Sequence, residues 1–184
     1  MCIRDRLLAK RPNRPWNILC AGCSTGEECY SVSMLVEDYA RTHPIPSVRI
    51  TGIDLSQPAI EEARTAAYPE SRINRVPRRC RNAYFVRNGQ LYTVAERIRS
   101  RVFLAQGNLC DDEVLRRTYD LIMCRNVIIY LKAEVRNRVI ATLHRHLAPS
   151  SYLMLGHAEI IRERTLFEYQ GNSVYRRQAK ATNV

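Results

Sequence analysis

Four short polar clusters hold the residue types that bind charged ligands. The first is the turn in Ile18-Leu19-Cys20-Ala21-Gly22-Cys23-Ser24-Thr25-Gly26-Glu27-Glu28, where an apolar strand breaks into a glycine-containing bend that opens a helix. A bend of this kind brings backbone N–H groups up to a ligand at a helix N-terminus. It carries two carboxylates where a phosphate-binding loop would carry Lys, so it suits hydroxyls, an amine or a positive charge and repels a diphosphate. The second cluster is Asp54, which closes Val48–Ile53 and is placed to accept hydrogen bonds from ribose hydroxyls. The third is Asn108 with Leu109, able to read an adenine edge and face. The fourth is Arg125-Asn126, following Tyr119–Cys124.

These clusters need a scaffold that sets them side by side, and the hydrophobic pattern supplies one. Strands are predicted at Ile18–Cys20, Val48–Ile53, Val102–Ala105, Asp120–Cys124 and Tyr152–Leu155, alternating with helices from Glu27 to about Arg41, from Ser56 onward, and over Ala133–Leu147. In the first helix Tyr30, Met34 and Leu35 are expected inside. Ser24/Glu27 or Thr25/Glu28 have capping-box spacing. Ser56 caps the second helix, with Pro58 in its first turn and Ile60 and Ala63 inward. Val135, Val139, Leu143 and Leu147 mark the buried face of the last. Between Tyr68 and Val102 the rhythm breaks. Tyr84–Tyr92 reads as a hairpin turning at Asn88-Gly89, and a small antiparallel β insertion is expected there. Phe167–Tyr169 and Ser173–Arg176 read as a terminal antiparallel pair. The fold class is α/β with a largely parallel sheet, in which ligands bind beyond the carboxyl ends of the strands. All four clusters fall at such ends.

Composition sets the outer limits. The chain has 184 residues, 46% hydrophobic and 26% charged, as expected of one globular domain. It has no apolar run of membrane-spanning length and no signal-peptide pattern, so a cytoplasmic location without membrane insertion is expected. The seven cysteines, Cys20-x-x-Cys23 included, lack a second pair at ligand spacing and read as buried reduced thiols, with no metal. The net charge of +11 is uneven: nine arginines between Arg72 and Arg101 are accompanied there by the single acid Glu96. A cluster so dense predicts an acidic partner. His157 is expected to make a structural hydrogen bond, and Glu27 to serve as a helix N-terminal acid.

Together the segments Gly22-Cys23-Ser24-Thr25-Gly26-Glu27-Glu28-Cys29-Tyr30-Ser31 and Cys124-Arg125-Asn126-Val127-Ile128-Ile129-Tyr130 resemble the CheR family of chemotaxis-receptor methyltransferases. Gly52-Ile53-Asp54, Asn108-Leu109, Gly156-His157-Ala158-Glu159 and Gly171-Asn172-Ser173-Val174-Tyr175 add to the match. The resemblance implies a Rossmann-like class I S-adenosylmethionine-dependent methyltransferase fold with a β insertion. It also implies methyl transfer to receptor glutamates, leaving S-adenosylhomocysteine. Glu28, Asp54, Asn108, Leu109, Arg125 and Asn126 would contact the cofactor, and Tyr130 would stand near the transferred methyl. The insertion (68–101) would dock receptors, with Arg78, Arg79, Arg81 and Arg87 facing acidic methylation helices or a tail peptide. Residues 17–177 would form the catalytic domain, 1–16 the remnant of a linker, and 178–184 a tail.

The chain departs from the family pattern at Cys29 (Pro in the family), at Ser150-Ser151 (Gly-Gly or Asp-Gly) and at Ala158 (Ser). The family's N-terminal helical domain and the linker that adds to the cofactor site are expected to be absent, and with them one wall of that site. Two other classes fit parts of the sequence. One is a nucleic-acid methyltransferase, favoured by charge and by Tyr84, Phe85 and Tyr92 among the arginines, but without an Asn/Asp-Pro-Pro-aromatic motif. The other is a non-catalytic module that binds cofactor or receptor.

Overall fold

The computed structural model describes residues 14–162 and 165–178. Its main sheet has seven strands: β1 (Trp16–Ala21), β2 (Val48–Asp54), β6 (Val102–Gln106), β7 (Tyr119–Cys124), β8 (Leu147–Leu155), β9 (Phe167–Tyr169) and β10 (Val174–Arg177). The spatial order is β6-β2-β1-β7-β8-β10-β9. The first five strands are parallel, and β10 and β9 close one side antiparallel. The chain leaves β1 toward β2 and β6 and returns on the other side through β7, so strand order reverses between β1 and β7. Beyond that reversal the loops diverge and a ligand has room. Strand β7 is buried at all six positions, as a central parallel strand covered on both faces must be.

Helix α1 (Glu27–Ala40) follows β1, α2 (Gln57–Thr65) follows β2, and α6 (Ala133–His146) joins β7 to β8. Ser56 caps α2 by accepting from Ala59 N–H at 3.3 Å, and Ile60 and Ala63 are buried. In α6, Val139 and Leu143 are buried as expected. Two expectations for α1 fail. Its N-cap is Gly26, with no side-chain cap, because Thr25 Oγ1 donates instead to Glu27 Oε2 at 2.7 Å. Leu35 is 69% exposed, since the helix turns Cys29, Tyr30, Val32 and Met34 toward the core.

The insertion is a three-stranded antiparallel sheet, β3 (Ala67–Pro69), β5 (Leu91–Val94) and β4 (Phe85–Asn88), with short helices α3 (Glu70–Ile73), α4 (Arg78–Tyr84) and α5 (Glu96–Arg99). Its hairpin turns one residue later than expected. Asn88 pairs with Leu91, leaving Gly89-Gln90 as the loop, with Gly89 at φ +61° in the first loop position where such turns take glycine. Tyr30, Met34, Tyr68, Ile73, Tyr84, Val94 and Ile98 form a separate core between α1 and this sheet. Among the described residues, no helix is long and apolar enough to cross a membrane.

Candidate functional site

The acidic turn is held from below. Gly22 and Cys23 N–H donate to Ile53 O at 2.8 and 3.0 Å, and Ser24 N–H donates to Asp54 Oδ2 at 2.7 Å. Gly26 N–H is bound to Cys23 O at 3.0 Å. Four of the turn's N–H groups are therefore spent inside the protein rather than offered to a ligand, contrary to the sequence expectation. What the turn presents is its acids. Gly22 sits at φ +74°, and a Cβ there would stand 2.4 Å from Val127 Cγ2, so only glycine lets this turn meet the loop after β7.

That meeting builds the centre of the site. Arg125 Nη1 lies 3.2 Å from Glu28 Oε1, joining the first and fourth clusters across the strand-order reversal. Burial pushes the Glu28 carboxyl above its ordinary range, while Arg125 pulls it back and Glu159 adds to the rise. An acid held in this way gains from a second cation. Asp54 is half-exposed; its Oδ1 accepts from Ser56 N–H at 2.9 Å, leaving further lone pairs open. The third cluster is tied to it, because Gly107 N–H donates to Asp54 O at 2.9 Å. Asn108 Oδ1 accepts from Cys110 N–H at 3.0 Å, and Leu109 packs with Ala21 and Ile53 under the strand ends. Asn126 takes a left-handed backbone, φ +58°.

Glu28, Asp54, Asn108, Leu109, Arg125 and Asn126 thus line one edge of the sheet. Tyr130 ends the 3₁₀ turn Ile128–Tyr130 and is 79% exposed. Glu27 belongs elsewhere: Arg72 binds it together with Glu62 and Thr25, clamping the insertion to the turn. Two acids adjacent in sequence therefore take separate tasks.

The arginines expected to dock receptors are not part of this edge. Arg78, Arg79 and Arg81 lie on α4 and Arg87 on β4. Arg79 meets Asp38 at 3.3 Å, Arg81 meets Glu70 at 3.9 Å, and Arg87 lies over the Tyr92 ring at 5.9 Å. Arg72, Arg79, Arg81, Arg99 and Arg101 all have carboxylate partners. The dense positive patch read from the chain is thus diluted by acids that α1 and α2 bring to it. An apolar cleft of about 390 Å³ between α1 and the insertion, lined by Met34, Leu35, Val76 and Phe85, is separate from the site.

His157 is exposed, without a hydrogen bond among the described residues, against expectation. The acid two positions on was missed as a site residue. Glu159 is 2% exposed and its carboxylate accepts N–H groups of Asn126, Val127, Ile128, Ile129 and Gly156. Its signal in the sequence was an acid four residues past the end of β8, followed by the apolar pair Ile160-Ile161.

Cys20, Cys23, Cys29 and Cys124 are buried free thiols, and Cys80 and Cys110 are half-buried. Cys2 lies outside the described residues. The hydrogen bond that the Cys23 thiol donates to Cys29, together with burial, raises Cys23 far above the usual thiol range, so it stays protonated and inert.

Residues 2–175 match the sequence model of the family described as CheR methyltransferase, SAM binding domain. A chemotaxis protein methyltransferase of Borreliella burgdorferi is 33% identical over 168 residues, covering 90% of this chain and 59% of that protein. Chemotaxis protein methyltransferase 1 of Pseudomonas aeruginosa is 32% identical over 146 residues, covering 77% and 53%. The chain therefore spans between half and two thirds of the length of these relatives. Among solved structures, the glycopeptide N-methyltransferase MtfA complexed with S-adenosyl-L-methionine superposes with a TM-score of 0.50 at 17% identity. The match covers 83% of this chain and 48% of that one, and at this identity it speaks to the fold alone.

Proposed function

This chain belongs to the CheR methyltransferase family and carries its S-adenosylmethionine-binding domain, and from that premise we propose that it methylates glutamate side chains of chemotaxis receptors. The observation that carries the site assignment is the Glu28–Arg125 pair at 3.2 Å, standing at the strand-order reversal beside the half-exposed Asp54. The donor set fits the cofactor's chemistry. An acid and a base side by side suit an ammonium and a carboxylate, Asp54 suits two ribose hydroxyls, and Asn108 with Leu109 suits a purine.

When bound, S-adenosylmethionine supplies a methyl group on a positive sulfur. The substrate carboxylate is ionised at neutral pH, with an ordinary pKa of about 4.3, so no general base is needed. The protein's work is alignment and exclusion of water. Tyr130, exposed at the mouth, orients the incoming side chain. The insertion receives the receptor, Arg78 and Arg87 being the docking arginines without a carboxylate partner among the described residues. Arg79 and Arg81 exchange their internal acids for those of the receptor.

The test is transfer of labelled methyl from S-adenosylmethionine to receptor cytoplasmic fragments or to RNA, followed by mild base. Base-labile label on the receptor fragment is the expected result. Base-stable label on RNA would instead assign a nucleic-acid methyltransferase, and cofactor binding with no transfer would assign a binding module.

A further inference from the structure

We infer that Glu159 is the positioning residue of the methyl-transfer site, its buried carboxylate holding the loop that carries Arg125, Asn126 and Tyr130. The role in transfer rests on the reading above; the anchoring of the loop does not.

After β8 the chain bends at Gly156-His157-Ala158-Glu159, with Glu159 N–H donating to Gly156 O at 3.0 Å. This bend folds the side chain back beneath its own backbone. Oε1 accepts from Val127 and Ile128 N–H at 2.8 Å each and from Ile129 N–H at 3.3 Å. Oε2 accepts from Asn126 N–H at 2.8 Å and Gly156 N–H at 2.7 Å. No cation pairs with Glu159 among the described residues, so the charge is met by converging backbone dipoles alone, the arrangement of an anion nest. Here the anion is part of the protein.

Such a nest dictates the loop's shape. Asn126 at φ +58° is in the left-handed region, which asparagine enters more readily than other side chains but which neighbouring contacts must still fix. Glu159 supplies that determination by binding the N–H of Asn126 and the next three. Packing completes the lock, since a Cβ on Gly156 would lie 2.5 Å from Asn126 Oδ1 and 2.8 Å from Glu159 Oε2. The held loop presses Val127 onto Gly22 and points Arg125 at Glu28, so one carboxylate sets both walls of the site. Glutamine would keep the volume but turn an NH₂ group against two or three N–H donors. Aspartate would fall one methylene short.

Amide hydrogen exchange on the wild-type chain tests the anchor directly. The N–H groups of Asn126, Val127, Ile128, Ile129 and Gly156 make no backbone hydrogen bond as donors outside helix and strand ladders, and they are expected to exchange slowly all the same. Exchange at solvent rates would overturn the inference. In Glu159→Gln, exchange at these amides should rise roughly 10- to 100-fold, the loss of charge-assisted hydrogen bonds. S-adenosylhomocysteine affinity, read by calorimetry, should weaken on the same scale, while β1 and β2 amides keep their protection. With a receptor fragment, kcat should fall and KM for the fragment should hold, with partial recovery in Glu159→Asp. Wild-type protection and affinity in a folded Glu159→Gln would overturn the inference. Should that variant not fold, the wild-type exchange pattern decides. Should the wild-type chain bind no S-adenosylhomocysteine, the functional reading fails, and the exchange pattern still judges the anchor.

Discussion

Asp54 and Glu159 each accept backbone N–H groups from a neighbouring loop at the same edge of the sheet, but their surroundings differ. Asp54 is half-exposed and accepts one N–H on each oxygen, from Ser24 and from Ser56. Glu159 is 2% exposed and accepts five. A carboxylate has about four lone-pair sites. Asp54 therefore retains acceptor capacity facing solvent, and Glu159 has none to spare. One carboxylate can hold a loop and still take a ligand, whereas the other can only hold. An acid at the mouth of a site is thus judged by its unused lone pairs rather than by its charge.

The largest expected effect is on Glu159. Replacement by Ala leaves five N–H groups without a partner and should cost about 4 kcal/mol in stability by urea denaturation. A loss below about 1 kcal/mol would break the comparison. Asp54→Ala should do the reverse, lowering cofactor affinity roughly 10- to 100-fold by calorimetry with about 1 kcal/mol lost in stability. Equal affinity would remove Asp54 from the site.

Glu28 sharpens the contrast through pH. Its carboxyl is raised by burial, so the folded protein holds that proton over a window in which the unfolded chain has released it. The stability from this group is therefore full below about pH 4.3 and lost as pH rises through the raised value. Affinity for a cationic amine should move the opposite way, increasing over the same window as the carboxylate forms. Glu28→Gln should flatten both curves, and unchanged curves would place the titrating group elsewhere. The smallest effect is expected for Arg72→Ala, which frees Glu27 and Glu62. Both partners are partly exposed, so melting should register less than about 1 kcal/mol, with cofactor affinity within about twofold. A tenfold loss would return Glu27 to the site.

Most of the main sheet was legible because short, mostly continuous apolar runs and their polar stops mark parallel strands and their ligand-facing ends. The four clusters were legible for the same reason. The turn at Gly89-Gln90 was displaced by one residue, because Asn88 spends its backbone on pairing with Leu91. The capping box failed because Thr25, Glu27 and Arg72 made a cross-chain network that local spacing does not encode. Leu35 was misplaced because three apolar residues within one turn and a half do not resolve which way a helix faces.

By itself the sequence determined the order of elements, the strand ends at which chemistry gathers, and the family. Each of these follows from local pattern, period and short motifs. Only the tertiary structure decided which acids are free and which are spent. It gave Glu27 to Arg72 and Glu28 to Arg125, neutralised much of the arginine cluster with acids from α1 and α2, and buried Glu159 beneath a loop some thirty residues earlier in the chain. The reason is physical. Charge and lone pairs are properties of a residue, but their satisfaction depends on distance in space, which one-dimensional spacing does not carry.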